Sequence, residues 1–81
     1  MEKENVIIFG ASRLGKIAFN CLKDKYNICY FTDNDQNKWG KLFCDIKIVP
    51  PRKIYSYRSL KVIIASMYYD EISVQLKKEG L

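Results

Sequence analysis

A strand that runs into a glycine turn and then into a helix constrains this chain most. Residues 5–10 read NVIIFG, an apolar run typical of a strand buried on both faces of a parallel sheet. Residues 13–24 then place apolar side chains three and four positions apart, which predicts one stripe of an amphipathic helix. Because a helix of this length can run back along its strand, the pattern favours a βαβ unit.

Further strand and helix patterns follow in alternation. They predict a strand at 26–32, then a turn at Gly40 and two short strand-like pieces at 41–44 and 46–49 around Asp45, where we expect a loop and one short strand. A helical turn at 52–57, a strand at 60–67 and a helix at 69–79 complete the pattern. We therefore expect one α/β domain over residues 1–81. Its expected form is a small three-layer Rossmann-like fold, with a short, mostly parallel sheet of about four strands and helices on both faces.

Composition excludes several functional classes. The three cysteines are odd in number and lack a C-x-x-C spacing, so we expect reduced core residues and no metal site. The sequence has no histidine, the commonest general base, and we expect no catalysis by the chain alone. No apolar run approaches the roughly 18 residues of a membrane helix, and no signal peptide is recognisable. These features predict a cytoplasmic protein without a membrane partner.

Basic residues give the chain a net charge of +5 but form no dense run. The closest grouping lies beside Tyr55 and Tyr57, an arrangement that can also bind nucleic acid. We interpret it as a solvated face and expect no nucleic-acid partner. Its members are Lys47, Arg52, Lys53, Arg58 and Lys61.

The turn between the first strand and the first helix carries the predicted ligand chemistry. Its first glycine permits a tight bend, and its last lets the helix approach the strand closely. The unpaired N–H groups and partial positive charge at a helix start then form a phosphate site. The predicted binding residues in this turn are Gly10, Ala11, Ser12, Arg13, Leu14 and Gly15.

Two polar side chains modify this turn. Ser12 stands where such turns usually have a second glycine, and its hydroxyl can donate to a phosphate or cap the helix. Arg13 can add a charge-assisted contact. The alternative is a capped helix start with a tight turn and no ligand.

Residues at the ends of two other strands complete the predicted site. Asp33 lies 18 residues after Gly15, close to the spacing at which a carboxylate receives ribose hydroxyls, and Asn34 follows it. Ser66 and Met67 would line the same crevice, because ligands of open α/β sheets bind at the carboxyl ends of strands. The alternatives are a turn residue for Asp33, a helix cap for Ser66 and a core residue for Met67.

Most of the chain resembles the Rossmann-like modules of bacterial sugar O-acyltransferases and of nucleotide-sugar dehydratases and epimerases in polysaccharide biosynthesis. Related modules occur on glycosyltransferases and methyltransferases. The resemblance lies in VIIFGASRLGKIAFNCL, ICYFTDND, KWGKLFCDIKIVPP and VIIASMYYDEISVQLKKEG.

The resemblance implies that Gly10, Ser12 and Gly15 lie at the phosphates of NAD or a nucleotide-sugar, with Asp33 nearby. It implies an accessory or regulatory module of a longer sugar-modifying enzyme, such as a transferase. A structural or protein-interaction domain without a ligand is the alternative. Because the last strand would have an open edge, we expect a downstream catalytic domain or a second copy to cover it.

Overall fold

The computed structural model describes residues 3–57 and 59–81, so Arg58 of the predicted basic group lies outside the described residues. The strands are β1 (Glu4–Phe9), β2 (Tyr26–Thr32), β3 (Leu42–Phe43), β4 (Ile46–Val49) and β5 (Lys61–Ile64). The α-helices are α1 (Arg13–Leu22), α2 (Pro51–Ile54) and α3 (Tyr69–Lys78), and a 3₁₀ helix spans Gln36–Lys38. In this part of the chain, no helix has the length and apolarity needed to cross a membrane.

The described strands form one mixed sheet in the order β3-β4-β2-β1-β5. Strands β4, β2, β1 and β5 are parallel, and β3 pairs antiparallel with β4. The chain is therefore a small α/β domain with five strands and three α-helices in its described part, one strand more than predicted. The extra strand forms because Cys44 and Asp45 both adopt positive φ, 53° and 63°, and close a two-residue hairpin turn.

Strand β1 lies at the centre of the core, and its Val6, Ile7, Ile8 and Phe9 are all buried. Successive side chains of a strand point to opposite faces, so these residues divide between two apolar clusters. One cluster contains Val6 and Ile8 and packs against apolar residues of α1. The other contains Ile7 and Phe9 together with residues of α2 and α3. Burial on both faces explains why the strand has no polar alternation.

The carboxyl ends of β1, β2 and β5 meet at one edge of the sheet, because these strands are parallel and adjacent. The Gly10 amide donates to the Thr32 carbonyl at 2.7 Å, and the Ala65 amide donates to the Phe9 carbonyl at 2.8 Å. These bonds hold the three loops that follow the strands side by side. We call this region the carboxyl edge; it consists of residues 10–15, 33–38 and 65–71.

Candidate ligand site at the carboxyl edge

Gly10 makes a bend that other residues cannot make. Its φ is +128°, a conformation that side chains rarely adopt. A Cβ at this position would overlap the carbonyl oxygen of Ala65, which belongs to the loop after β5. The first predicted glycine is therefore required both by its own backbone conformation and by the neighbouring loop.

Gly15 is buried and lets α1 cross close to the end of β1. A Cβ on Gly15 would overlap the carbonyl oxygen of Gly10 and would lie 3.4 Å from the Phe31 ring. The backbone of the first helical turn thus contacts the backbone of the glycine turn. This contact places the start of α1 directly over the carboxyl edge.

The start of α1 presents backbone donors. Ser12 is the N-cap residue with extended φ and ψ, and in the described structure its side chain makes no capping hydrogen bond. The first intrahelical bond runs from the Lys16 amide to the Ser12 carbonyl at 2.9 Å. The amides of Arg13, Leu14 and Gly15 come before it and have no acceptor within the helix. With no acidic residue in its first turn, this end of α1 is electropositive.

Asp33 holds the glycine turn in place through hydrogen bonds to backbone amides. Its Oδ2 accepts the Ala11 amide at 2.9 Å, and its Oδ1 accepts the Asp35 amide at 2.9 Å. The Lys38 ammonium lies 3.4 Å from the same Oδ2 and donates to the Ala11 carbonyl at 3.1 Å. The half-buried carboxylate therefore joins the turn, the loop after β2 and the 3₁₀ helix. It has few acceptor positions left for a ribose, and the Ala11 amide is already paired.

Asn34 is held by α3. Its side-chain amide donates to the Gln75 Oε1 at 3.0 Å, and the Gln75 Nε2 donates back to the Asn34 Oδ1 at 3.1 Å. The same Gln75 nitrogen also lies 2.8 Å from the Tyr55 hydroxyl oxygen. The loop after β2 is thereby bonded to α3 and, through Gln75, to Tyr55, the residue that follows α2.

Two cavities flank the glycine turn and share Ser66 and Tyr68. We call the first the acidic cavity, because two carboxylates line it. It measures about 270 Å³ and is lined by Phe9, Gly10, Asp33, Asn34, Ser66, Tyr68, Glu71 and Ile72. We call the second the apolar cavity. It measures about 390 Å³ and is lined by Ser12, Arg13, Leu14, Ile17, Ser66, Met67 and Tyr68.

The structure brings the ten predicted site residues together at the carboxyl edge. Eight of them line at least one of the two cavities, while Ala11 is bonded to Asp33 and Gly15 is buried where α1 contacts the turn. The Ser66 hydroxyl oxygen accepts the Tyr68 amide at 3.1 Å, which resembles the predicted cap. Met67 is 84% exposed, so it is not a core residue.

The sequence reasoning missed other residues of the site, among them Ile17, Lys38, Tyr68 and Glu71. Ile17 belongs to the apolar stripe predicted for the helix at 13–24, yet it is 51% exposed. Lys38 carries no recognisable motif, because its contacts are with residues 27 and 5 positions away. Only the assembled sheet shows that these side chains face one site.

Comparisons with known proteins relate the chain to a family and to one solved fold. The family model described as C2185-like, N-terminal, matches residues 2–81. The crystal structure of RSP, a Rex-family repressor, matches with a TM-score of 0.71 and 20% sequence identity, over 99% of this chain and 43% of that chain. At this identity the likeness shows the fold alone, and the chain spans less than half of the repressor chain. No curated protein matches the sequence.

These comparisons correct several predictions. The resemblance to modules of sugar O-acyltransferases, nucleotide-sugar dehydratases and epimerases is wrong, because the family model that matches the chain is the C2185-like one and the matching solved structure is a repressor. The predicted accessory role in a sugar-modifying enzyme of polysaccharide biosynthesis is wrong with it, as is the transferase assignment. The alternative of a ligand-free structural domain gains no support. The likeness to a repressor also overturns the exclusion of a nucleic-acid partner.

Proposed function

The chain belongs to the C2185-like family as its N-terminal domain, and on that premise we propose that it is the ligand-sensing domain of a regulatory protein of the repressor type. The match to less than half of a repressor chain supports a domain within a larger regulator. Such a regulator would work in the cytoplasm, where its three free cysteines stay reduced. Its task is to bind and release a ligand without a covalent step.

The finer fold assignment belongs to this proposal. When the four parallel strands are numbered along the chain, their order across the sheet is 3-2-1-4. This is the strand order of a Rossmann-like half sheet. Residues of α1 pack on one face, and residues of α2 and α3 pack on the other. Ligands of such sheets bind at the carboxyl ends of the strands. We therefore place the ligand at the carboxyl edge.

The contact between Gly15 and Gly10 is the observation that carries the proposal. A helix start that packs against a glycine bend leaves the amides of Arg13 and Leu14 without an intrahelical acceptor and available to an anion, as in nucleotide-binding turns. The Arg13 side chain lines the apolar cavity beside these amides and adds a full positive charge. A phosphate-bearing nucleotide, with NAD and a nucleotide-sugar as candidates, fits this combination of donors.

Within this proposal, the other predicted residues take separate roles. Asp33 holds the Ala11 amide and keeps the turn in its binding conformation. Asn34 and Ser66 line the acidic cavity, and Met67 lines the apolar cavity. The phosphate contacts come from Ser12 and the helix amides.

The substitution Ser12→Asp tests the proposal, because it acts on stability and binding in opposite directions. Aspartate is a strong N-cap residue and complements the helix dipole, so the free energy of unfolding is retained or raised. The new carboxylate repels a phosphate, and the affinity falls by at least about ten-fold. Amide shifts of residues 10–15 on titration of the wild-type chain with NAD and UDP-glucose provide the measurement.

A matched control places the same charge elsewhere on α1. Asn20→Asp adds one carboxylate at an exposed position in the last helical turn, and it leaves ligand binding unchanged. Equal losses in Asn20→Asp and Ser12→Asp would show that net charge, and not the turn, governs binding. Absence of amide shifts with either ligand would refute the sensing role.

A second candidate function is direct contact with nucleic acid through a basic segment. Residues 46–57 contain Lys47, Arg52 and Lys53 and no acidic residue. The Arg52 guanidinium lies 5.4 Å from the centre of the Trp39 ring, and the Lys53 ammonium lies 5.5 Å from the centre of the Tyr30 ring. The two rings thus position the exposed Arg52 and Lys53 side chains by cation–π contacts. Cations presented in this way can bind the phosphates of a nucleic acid.

This second function predicts a salt-dependent affinity for duplex DNA of any sequence. Each phosphate contact contributes about 0.9 to the slope of log K against log salt, so replacement of all three cations by glutamine lowers the slope by about 3. Fluorescence anisotropy of a labelled duplex at increasing salt measures the slope. An unchanged slope in the triple variant would exclude this segment as the contact surface.

A further inference from the structure

Strand β5 forms one edge of the described sheet, and its outer side is open. Among the described strands it pairs with β1 alone. The Ala65 amide donates to the Phe9 carbonyl at 2.8 Å, so the backbone groups of residue 65 point towards β1. Since these groups alternate in direction along a strand, those of Val62 and Ile64 point outwards. The edge therefore offers two amides and two carbonyls to another strand.

A groove of about 360 Å³ lies beside this edge, between β5 and α3. We call it the edge groove. Val62 and Ile64 contribute to its wall and are only half-buried. A strand added at the edge covers these side chains and also bonds the outward backbone groups. The groove is lined in part by Leu60, Val62, Ile64, Ser73, Leu76 and Lys77.

The outward groups of β5 are self-complementary. When a second β5 runs antiparallel with the two Ile63 residues opposite each other, Val62 of each copy lies opposite Ile64 of the other. Each of these two pairs exchanges two hydrogen bonds, so four bonds use every outward backbone group of both strands. The register also places β-branched side chains opposite one another, which favours strand pairing. A two-fold contact of this kind uses the same surface on both copies.

Helix α3 carries a charge pattern that fits the same two-fold arrangement. Asp70 and Glu71 lie in its first turn, and Lys77 and Lys78 lie in its last. Ser73 and Lys77 line the edge groove, and Asp70 lies three positions before Ser73 on the same side of the helix. Antiparallel β5 strands bring the two α3 helices into antiparallel directions as well. Asp70 of one copy then lies opposite Lys77 of the other.

We propose that β5 is a self-pairing edge, at which two copies of the chain join their sheets through antiparallel β5 strands and through the opposite charges of their α3 helices. The occupant of the edge groove is thus the β5 and α3 of a second copy. The inference is independent of the proposed ligand, because the two cavities beside the glycine turn share no lining residue with the edge groove.

Sedimentation equilibrium of the 81-residue chain over a series of concentrations tests the pairing. A reversible equilibrium between monomer and dimer is expected. Amide hydrogen exchange identifies the strand that pairs. The Val62 and Ile64 amides are expected to exchange rapidly in the monomer and slowly in the dimer, whereas the Ile63 amide faces β1 and is protected in both.

The substitution Val62→Pro acts on the outward backbone groups. It removes one outward amide from each chain, and proline is tolerated where a strand N–H points away from the sheet. The variant is expected to fold and to dimerise at least about ten-fold more weakly, since the symmetric dimer loses two of its four hydrogen bonds. Circular dichroism verifies the fold.

An exchange of charges on α3 tests the pairing without a change in β5. Lys77→Glu places a carboxylate opposite Asp70 of the other copy at two symmetric positions, and it is expected to weaken the dimer roughly ten-fold. The double variant with Asp70→Lys reverses both charges and is expected to restore the affinity. The matched control is Lys78→Glu, the same change at the next position and outside the edge groove, which is expected to leave the dimer unchanged.

Several outcomes would overturn the proposal. A chain that stays monomeric at every concentration would do so, as would a dimer in which the Val62 and Ile64 amides stay unprotected. A dimer that a folded Val62→Pro variant leaves intact would place the contact on another surface. Equal weakening by Lys77→Glu and Lys78→Glu would attribute the effect to net charge. If Val62→Pro does not fold, the charge exchange decides, and a double variant that fails to restore the dimer refutes the arrangement.

Discussion

Substitution of Gly15 by alanine sets two physical effects against each other. Gly15 lies in the first turn of α1, where helix propensity alone predicts that alanine stabilises the fold by about 1 kcal/mol. The new Cβ, however, would overlap the Gly10 carbonyl oxygen and lie 3.0 Å from the Gly10 carbonyl carbon. Both atoms are backbone, so they cannot rotate away as a side chain would.

The structure indicates that the overlap is the larger effect. Gly10 is fixed by its hydrogen bond to the Thr32 carbonyl, and the adjacent Ala11 is fixed by Asp33. The helix must therefore move away from the sheet, at the cost of about 1–3 kcal/mol typical of overpacking. Since this displacement also loosens the contacts of α1 with the core, we expect a net loss of about 1–2 kcal/mol in the free energy of unfolding.

Urea unfolding followed by circular dichroism measures this loss. Gly40→Ala serves as the control, because a Cβ added there would have no described atom within 4 Å, and Gly40, unlike Gly15, has a positive φ of +83°. Its cost is the backbone conformation alone, about 1 kcal/mol. Ligand-induced amide shifts at residues 10–15 are expected to disappear in Gly15→Ala and persist in Gly40→Ala. A Gly15→Ala variant more stable than the wild type would refute the close approach of α1 to the turn.

Three further predictions concern the surroundings of the site. Asp33→Asn removes a charged acceptor from the Ala11 amide and is expected to lower the free energy of unfolding by about 1–2 kcal/mol in urea; an unchanged value would show that the carboxylate does not hold the turn. Replacing Cys44-Asp45 by Asn-Gly suits two positive φ angles and is expected to raise the unfolding temperature by about 4–8 °C, and a decrease would contradict the hairpin turn. Gln75→Ala breaks the reciprocal amide pair with Asn34 and is expected to shift the Asn34 side-chain NMR signals; unshifted signals would contradict the pairing.

The local elements could be read from the sequence because their signals are local. The run NVIIF indicated burial on both faces, and the glycines at 10 and 15 marked the places where two backbones approach closely. Strands β2 and β4 have the predicted bounds, while β5 and α3 are shorter than predicted. The family resemblance was wrong because short strands, helices and glycine turns of this pattern occur in unrelated proteins.

By itself, the sequence determined the order of strands and helices and the need for glycine at the turn, since these depend on side-chain spacing and on the absence of a Cβ. Only the tertiary structure decided that Asp33 and Lys38 hold the turn and that Ile17 and Met67 share one cavity. The partners in these contacts are far apart in the chain. They meet because parallel strands bring their carboxyl ends to one edge, and the order of strands in the sheet leaves no local pattern in the residues.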